Sequence, residues 1–300
     1  MEPSWDDMRV FLAVARDESL SGAGKRLRLD PATVGRRVAR LERTLGQVLF
    51  VKSPQGYRMT AAAERLMEHA ARAEEAMRAG TDALAGAEGR LTGQVRIGAP
   101  DGCANYLLPQ ICAALGAENP DLDIQVVALP RVVNLTRREA DMAITVSAPT
   151  AGQLVVQKIS DYRLHLVAAR RYLKRRPLRD VSDLQAHRML GYIPDMIFDA
   201  ELDYLAELGI ARVPLASNSV PVQLRMAEQG AGLCMAHDFA LPSHPDLSVV
   251  LGDQVSLRRA FYLVRHQSDR GSARLTRLAA RISDSLRAEI ARLEGCVDQP

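Results

Sequence analysis

The chain is poor in the residue groupings that most often announce chemistry. Its 300 residues include 4 cysteines, Cys103, Cys112, Cys234 and Cys296, and none are spaced as C-x-x-C. The 6 histidines form no ligand cluster. The expectation is neither a metal site nor a disulfide framework, but a reduced, cytoplasmic protein. No apolar run is long enough to span a bilayer and no N-terminal signal peptide is visible, so no membrane partner is expected. There is no P-loop, nucleophile elbow, H-E-x-x-H or G-x-G-x-x-G. An enzyme is therefore not expected, and no catalytic residue is nominated. What is present is ordinary for a soluble chain of about two domains: 47% apolar and 25% charged residues.

The net charge of +3 becomes informative once it is divided along the chain. Residues 1–60 hold 11 Lys and Arg against 7 Asp and Glu, a net of +4, so the remainder nets −1. This asymmetry suggests a nucleic-acid-binding head on a body that does not bind nucleic acid.

The head reads as a winged helix-turn-helix over 1–60. A first helix is expected over Trp5–Arg16, with Ser4 and Asp7 forming a capping box and Val10, Phe11 and Val14 facing a small core. Ser19 caps a second helix, Leu20–Leu27, in which Gly22 and Gly24 are poor helix formers. After the turn Arg28–Asp30, the pair Asp30-Pro31 starts a third helix. Its core stripe is Val34, Val38, Leu41 and Leu45, and Gly46 stops it. Thr33, Arg36, Arg37, Arg40 and Arg43 lie largely off that stripe. Arginine binds guanine bidentately or clamps phosphate, so this helix is the candidate for the major groove. Residues 52–58 read as the wing.

Segment 7–64 resembles the DNA-binding domain of LysR-type transcriptional regulators. The resemblance lies in F-L-A-V-A, S-L-S-G-A-G-K-R-L, R-R-V-A-R-L-E-R-T-L-G, V-L-F and G-Y-R-M-T-x-A-x-E. It implies double-stranded DNA as partner, with contacts from Ser21, Ala32, Thr33, Arg36, Arg37, Arg40, Lys52 and Arg58. The chain departs from the family where Asp30-Pro31-Ala32-Thr33-Val34-Gly35 stands for a usual Ser-Gln-Pro-Ala-Leu-Ser. Gly22 and Gly24 also replace usual alanines.

Thr60 is placed to cap a long helix over 61–87, within a linker of 61–91. Leu66, Ala70, Ala73, Met77, Gly80, Leu84, Ala87 and Leu91 alternate in steps of four and three, a thin coiled-coil seam. Leu66, Ala70, Ala73, Met77 and Leu84 are the expected dimerisation residues; the competing expectation is a helix packed on its own domain. Glu68–Arg72 and Glu74–Arg78 are favourable pairs on other faces. Gly80, Gly86 and Gly89 should weaken the helix end and mark a hinge. The family linker helix dimerises, which implies a homodimer or homotetramer on a pseudo-palindromic operator, with RNA polymerase as a candidate further partner.

The body, 92–300, alternates strands (94–99, 123–129, 141–146) with helices (about 101–117, 132–138), which implies a parallel sheet with helices on both faces. A hinge is expected at 160–163. Beyond it lie strands at 163–169, 189–193, 213–216 and 233–235, helices at 201–208 and 221–229, a returning strand 261–265 and a closing helix 273–293. The expected lobes are 92–161 with 267–300, and 162–266. This resembles the family's two-lobed, periplasmic-binding-protein-like effector domain, and the overall class is α/β. Ligands of such sheets bind at strand ends and helix N-termini. Pro100, Asp101, Gly102, Cys103, Asn105, Ser147, Ser217, Asn218 and Ser219 are the effector candidates, with Arg131 and Tyr192 as further side chains near the cleft. The expected effector is a small molecule between the lobes, a carboxylate or other anion, and no cofactor is expected. An alternative is a thiol-based redox regulator using Cys103 near a helix N-terminus, with Cys112 or Cys234 as partner. The remaining alternative is an enzyme on the α/β body.

Overall fold

The computed structural model describes residues 2–53, 56–84, 91–128, 140–150, 152–210, 212–267, 269 and 272–297, with backbone alone at 68, 75, 78, 79 and 82–84. The chain forms two compact units, residues 1–89 with 268–275, and residues 90–267 with 276–300.

In the first unit, α1 (Trp5–Asp17), α2 (Leu20–Leu27) and α3 (Pro31–Leu45) precede the hairpin β1 (Phe50–Ser53) and β2 (Gly56–Met59), and α4 (Ala61–Leu84) follows. Local chemistry sets most boundaries. The Ser19 hydroxyl accepts from the Gly22 N–H at 3.2 Å, and the Asp30 carboxylate from the Ala32 N–H at 2.9 Å. Gly46 ends α3 in the left-handed region. The Thr60 hydroxyl accepts from the Ala63 N–H and donates to the Val48 carbonyl at 2.8 Å. The capping box at α1 is not formed: the Ser4 side chain makes no cap bond, and Asp7 is buried. Its carboxylate faces Arg40, a stronger partner than a backbone N–H.

Phe11, Leu12, Val14, Val34, Val38, Leu41, Leu49 and Phe50 form the core of this head. Gly24 is needed where α2 meets the following turn. A Cβ there would stand 2.7 Å from the Leu29 carbonyl oxygen, and the Leu29 N–H donates to the Gly24 carbonyl. The wing is fixed to the α1–α2 corner by the Tyr57 N–H donating to the Glu18 carbonyl at 2.8 Å. Gly56, at φ 130°, lies directly against that carbonyl.

The first half of the expected dimer seam is used inside the chain. Ala63, Met67, Ala70 and Ala71 of α4 are buried in the head core, and Leu66 packs beside them. Ala70 is thus a residue of its own head rather than of a dimer surface, because β2 and α1 reach it first. Ala73, Met77 and Gly80 are exposed. The Leu84 side chain, the Glu68 and Arg78 halves of the two expected ion pairs, and Gly86, Ala87 and Gly89 lie outside the described residues.

Among the described residues the second unit holds a nine-stranded mixed sheet in the order β4-β3-β5-β11-β6-β9-β7-β8, with β10 beside β6. These strands are β3 (Gly93–Ala99), β4 (Leu122–Ala128), β5 (Met142–Thr145), β6 (Leu154–Ala169), β7 (Met189–Gly191), β8 (Leu215–Ala216), β9 (Leu233–His237), β10 (Leu247–Val249) and β11 (Ser256–His266). Pairing is parallel within β4-β3-β5 and within β9-β7-β8, but antiparallel wherever β6 and β11 take part. The parallel sheet expected from strands 94–99, 123–129 and 141–146 is thus present in β4-β3-β5, and the two long antiparallel strands β6 and β11 run from one lobe to the other. The expected hinge at 160–163 falls inside the continuous β6, opposite a register shift between Phe261 and Tyr262. A bulge bends the paired strands there without breaking them.

The helix expected over 101–117 is two, α5 (Asp101–Tyr106) and α6 (Leu108–Glu118). Pro109 lacks the N–H that one continuous helix would need, so the chain turns at Leu107. The helix expected at 201–208 is two short 3₁₀ turns, 200–202 and 206–208. Asp199 and Asp203 accept from the N–H groups of Glu201 and Ala206, which competes with a longer helix. The short α7 (Arg170–Arg175) and β10 were not anticipated, whereas α8 (Val220–Glu228) and α9 (Ala273–Gly295) fall where their patterns place them. The helix expected at 132–138, and Arg131, lie outside the described residues. The neutral charge of the body also conceals a dense cluster, Arg170, Arg171, Lys174, Arg175, Arg176 and Arg179, with no acidic residue between them.

A polar cluster holds the crossing. Asp238, fully buried, accepts from His165 Nδ1 at 2.7 Å and faces Arg163 Nε at 3.3 Å. Arg163 also pairs with Glu294 of α9, whose carboxyl is raised chiefly by burial.

Candidate functional site

α3 presents two different faces. Val34, Val38 and Leu41 are buried, while Pro31, Ala32 and Arg36 are exposed and Thr33 is half-buried. The Thr33 hydroxyl accepts from Arg36 Nη2 at 2.9 Å, which steers that guanidinium toward the N-terminal end of the helix. Ser21 is exposed on α2. Arg37 lies 3.7 Å from the exposed carboxylate of Asp6, a loose and exchangeable contact.

Arg40 is differently placed. Its Nε and Nη2 donate to both oxygens of the buried Asp7 at 2.6 and 2.5 Å. That hydrogen bond, then the charge of Asp7, raises the guanidinium pKa further. Arg40 is thus a strut between α1 and α3. In the wing, Val51 pairs with Arg58 and Lys52 with Tyr57. Lys52 and Arg58 are both exposed but project from opposite faces of the hairpin.

Three ties in the head had no local signal in sequence. Arg16 donates to Glu74 of α4 at 2.6 Å, Arg26 pairs with Asp17, and Glu42 Oε1 accepts from the N–H groups of Leu49 and Phe50. Together they set α3, the wing and α4 in one frame.

In the effector domain Asp101 meets the start of α8 beside residues 217–219, and Asp101, Asn105, Ser147 and Ser217 are already bonded. The Asp101 carboxylate of lobe I accepts from the Val220 N–H at 2.6 Å, at the first turn of α8 in lobe II. Asn105 Nδ2 donates to the Asp101 carbonyl and carboxylate at 2.8 and 3.1 Å. The Ser147 hydroxyl donates to the Asp199 carboxylate across the lobes. Ser217 Oγ accepts from the Ser219 N–H at 3.1 Å, and Pro100 precedes α5 without a side-chain cap. Asn218 has intermediate exposure. Gly102 faces His237, whose Cε1 would stand 3.1 Å from a Cβ there. None of these candidates lines the cavity of about 580 Å³ in lobe II, which Tyr192 and residues not anticipated from sequence do line.

Cys103 is wholly buried, and desolvation raises its thiol pKa far above the usual range. All four cysteines are free thiols. Burial outweighs any help from the six-residue α5, so the thiolate that redox chemistry needs is disfavoured here.

Residues 5–64 match the bacterial regulatory helix-turn-helix protein, lysR family, and residues 88–287 match the LysR substrate binding domain. The chain belongs to the LysR family. This is a family of transcriptional regulators and not of enzymes. The Mau operon transcriptional activator of Paracoccus denitrificans is 34% identical over 168 residues, 56% of this chain and 59% of that protein. The HTH-type transcriptional regulator DmlR of Escherichia coli is 28% identical over 54% of this chain and 53% of its own. The chain thus spans a little over half the length of these curated relatives. Among solved structures, a full-length OxyR variant from Pseudomonas aeruginosa superposes with a TM-score of 0.75 at 18% identity, covering 97% of both chains. LysG from Corynebacterium glutamicum, with bound effector arginine, gives 0.64 at 19% identity, covering 96% of this chain and 99% of its own. These likenesses support the full-length LysR fold. No helix among the described residues is long and apolar enough to cross a membrane.

In this LysR-family chain the residue behind the lobe crossing is His237. It is buried between Tyr162, Tyr204 and Phe239, and desolvation lowers its pKa to about 3. It is therefore neutral in the folded protein. Below about pH 6.5 the unfolded chain binds a proton that the folded one refuses, so stability is lost as the pH falls from about 6.5, and the loss continues to about 3. The expected slope from this group is about 1.4 kcal/mol per pH unit. Thermal melts at several pH values check it: the wild type should lose stability between neutral and mildly acidic pH more steeply than His237→Gln. Equal slopes would remove His237 from the account.

Proposed function

We propose that this protein is a homodimeric regulator whose α3 enters the DNA major groove while the wing lies on the flanking backbone. The observation that carries this reading is the division of α3. One face is locked into the head core, and the other presents Ala32, Thr33 and the exposed Arg36 beside a helix N-terminus already capped by Asp30, so the arginine side chain rather than the helix end supplies the attraction for DNA. Arg37, Lys52 and Arg58 add positive charge around it. Two heads read a pseudo-palindrome, so half-sites stand about one helical turn or a multiple apart. Fluorescence anisotropy with a duplex from immediately upstream of the gene tests this. Saturable, salt-sensitive binding with a footprint on two half-sites is expected; binding no tighter than to unrelated duplex would sink it.

The exposed stripe of α4, Ala73, Met77 and Gly80, supports the pairing surface. Met77 is 54% exposed, unusual for a long apolar side chain in a helix of this composition. Met77→Glu should convert the dimer to a monomer in light scattering while leaving the head folded, because the buried face of α4 is elsewhere. An unchanged mass would move the dimer contact off this stripe.

The effector domain works by population shift: a ligand that favours one lobe arrangement changes its share. The bonds from Asp101 to Val220 and from Ser147 to Asp199 are the contacts such a shift would exchange. A carboxylate effector at the α8 N-terminus would have to displace the carboxylate of Asp101, so the support for an anion is weaker than for an uncharged molecule.

A further inference from the structure

We infer that the cavity in lobe II, beneath residues 192–210, is a binding site for an uncharged, mainly apolar small molecule. The inference rests on the proposed reading of the domain as ligand-responsive, and it moves the ligand out of the space between the lobes. All lining residues fall between Leu190 and Met235, and the volume of about 580 Å³ suits a small organic molecule.

The wall decides the ligand class. Leu190, Ile197, Leu202, Leu205, Val213 and Met235 are among its lining residues. No lining residue is Lys or Arg, and the one carboxylate, Asp203, already accepts from the Ala206 N–H at 3.3 Å. An anion would lose its hydration there without a counter-charge. Polar recognition is nonetheless provided. Tyr192 and Tyr204 line the cavity and burial keeps their hydroxyls protonated, that of Tyr204 being turned to His237. Gln223, 3% exposed, donates through Nε2 to the Ser217 carbonyl at 2.7 Å, and among the described residues Oε1 meets the Cys234 thiol at 4.0 Å. A thiol is a weak donor, so that carbonyl is an available acceptor.

The roof is connected to the lobe crossing. Its 3₁₀ turns carry Glu201 and Glu207, and both carboxylates pair with Arg259 of β11. Tyr204 reaches His237 Nε2 at 3.3 Å, and His237 abuts Gly102 of lobe I. His237 Nδ1 is fully buried with no hydrogen-bond partner among the described residues, so this column is held by ring packing and the long Tyr204–His237 contact. A ligand that lifts the roof therefore moves side chains at the crossing of β6 and β11.

The test uses the full-length protein and probes that share one ring: benzamide, benzoate and benzylamine, the last a cation near neutral pH. Ligand-observed NMR titration should show saturable binding of benzamide, at least about tenfold tighter than either charged probe. Ala206→Trp places an indole from the exposed rim into the cavity, and should weaken benzamide by about tenfold or more. Ile210→Trp blocks it from another side, and thermal melts establish that each variant is folded. Benzamide bound no better than a charged probe, or unaffected by both plugs in folded protein, overturns the site. So does the absence of saturable binding by all three. If the same sample still binds operator duplex, it is this site that fails and the regulator reading stands.

Discussion

Arg36→Ala lowers operator affinity by about a hundredfold and makes the plot of log affinity against log salt shallower by about 1.8. The reason is symmetry. One substitution removes a contact from each head, and each neutralised phosphate contributes about 0.9 to the salt slope. Arg36 carries this effect because its guanidinium is exposed and, among the described residues, tied to the Thr33 hydroxyl alone at 2.9 Å. It can exchange that bond for a phosphate or a base edge at little cost. Anisotropy titrations over a range of salt give both quantities. An unchanged slope with reduced affinity would assign Arg36 to a base edge, whereas no change in either would remove it from the interface. Arg40→Ala should also weaken DNA binding, but by another route: Asp7 would be left buried and unpaired, so the melting temperature of the head falls as well. Measuring melt and affinity together separates the two arginines, which sequence alone treats alike.

Gly56→Ala should destabilise the head by about 3 kcal/mol and detach the wing. At φ 130° only glycine is relaxed, and a Cβ would be driven into the Glu18 carbonyl oxygen. That carbonyl also accepts the Tyr57 N–H, so relief of the clash breaks the bond that fixes the hairpin. Gly35→Ala is the control. A Cβ there meets only Leu20 Cδ1 at 3.4 Å, and the helix gains up to about 1 kcal/mol from the better former. Melts of the two variants should shift in opposite directions. A Gly56→Ala head as stable as wild type would show that the wing rests against the corner without being held by it.

Much of the head was legible because its signals are local. The starts of α2 and α3 follow from Ser19 and Asp30-Pro31, the end of α3 from Gly46, and the buried stripe from the spacing of Val34, Val38 and Leu41. Each acts within a turn or two of helix. The Ser4–Asp7 capping box shows the limit of the same logic: the spacing was right, but Arg40, 33 positions away, supplied a better partner. Likewise Ala70 fits a heptad seam by spacing, yet the chain's own β2 and α1 cover that face. In the body, charge totals hid the basic cluster at 170–179, and strand 163–169 proved to be the end of the much longer β6.

The sequence by itself determined a DNA-reading head, its helix limits, and a two-lobed α/β partner of the LysR family, since these depend on capping, periodicity and motif order. Only the tertiary structure decided which arginines are open. It also placed glycine at position 56, bonded Asp101 and Ser147 across the lobes, and put a cavity under 192–210 that no short pattern marks. The physical reason is range. Caps and stripes are settled by neighbours a few residues away, while ion pairs, close backbone approaches and cavities are settled by segments that meet only after the chain has folded.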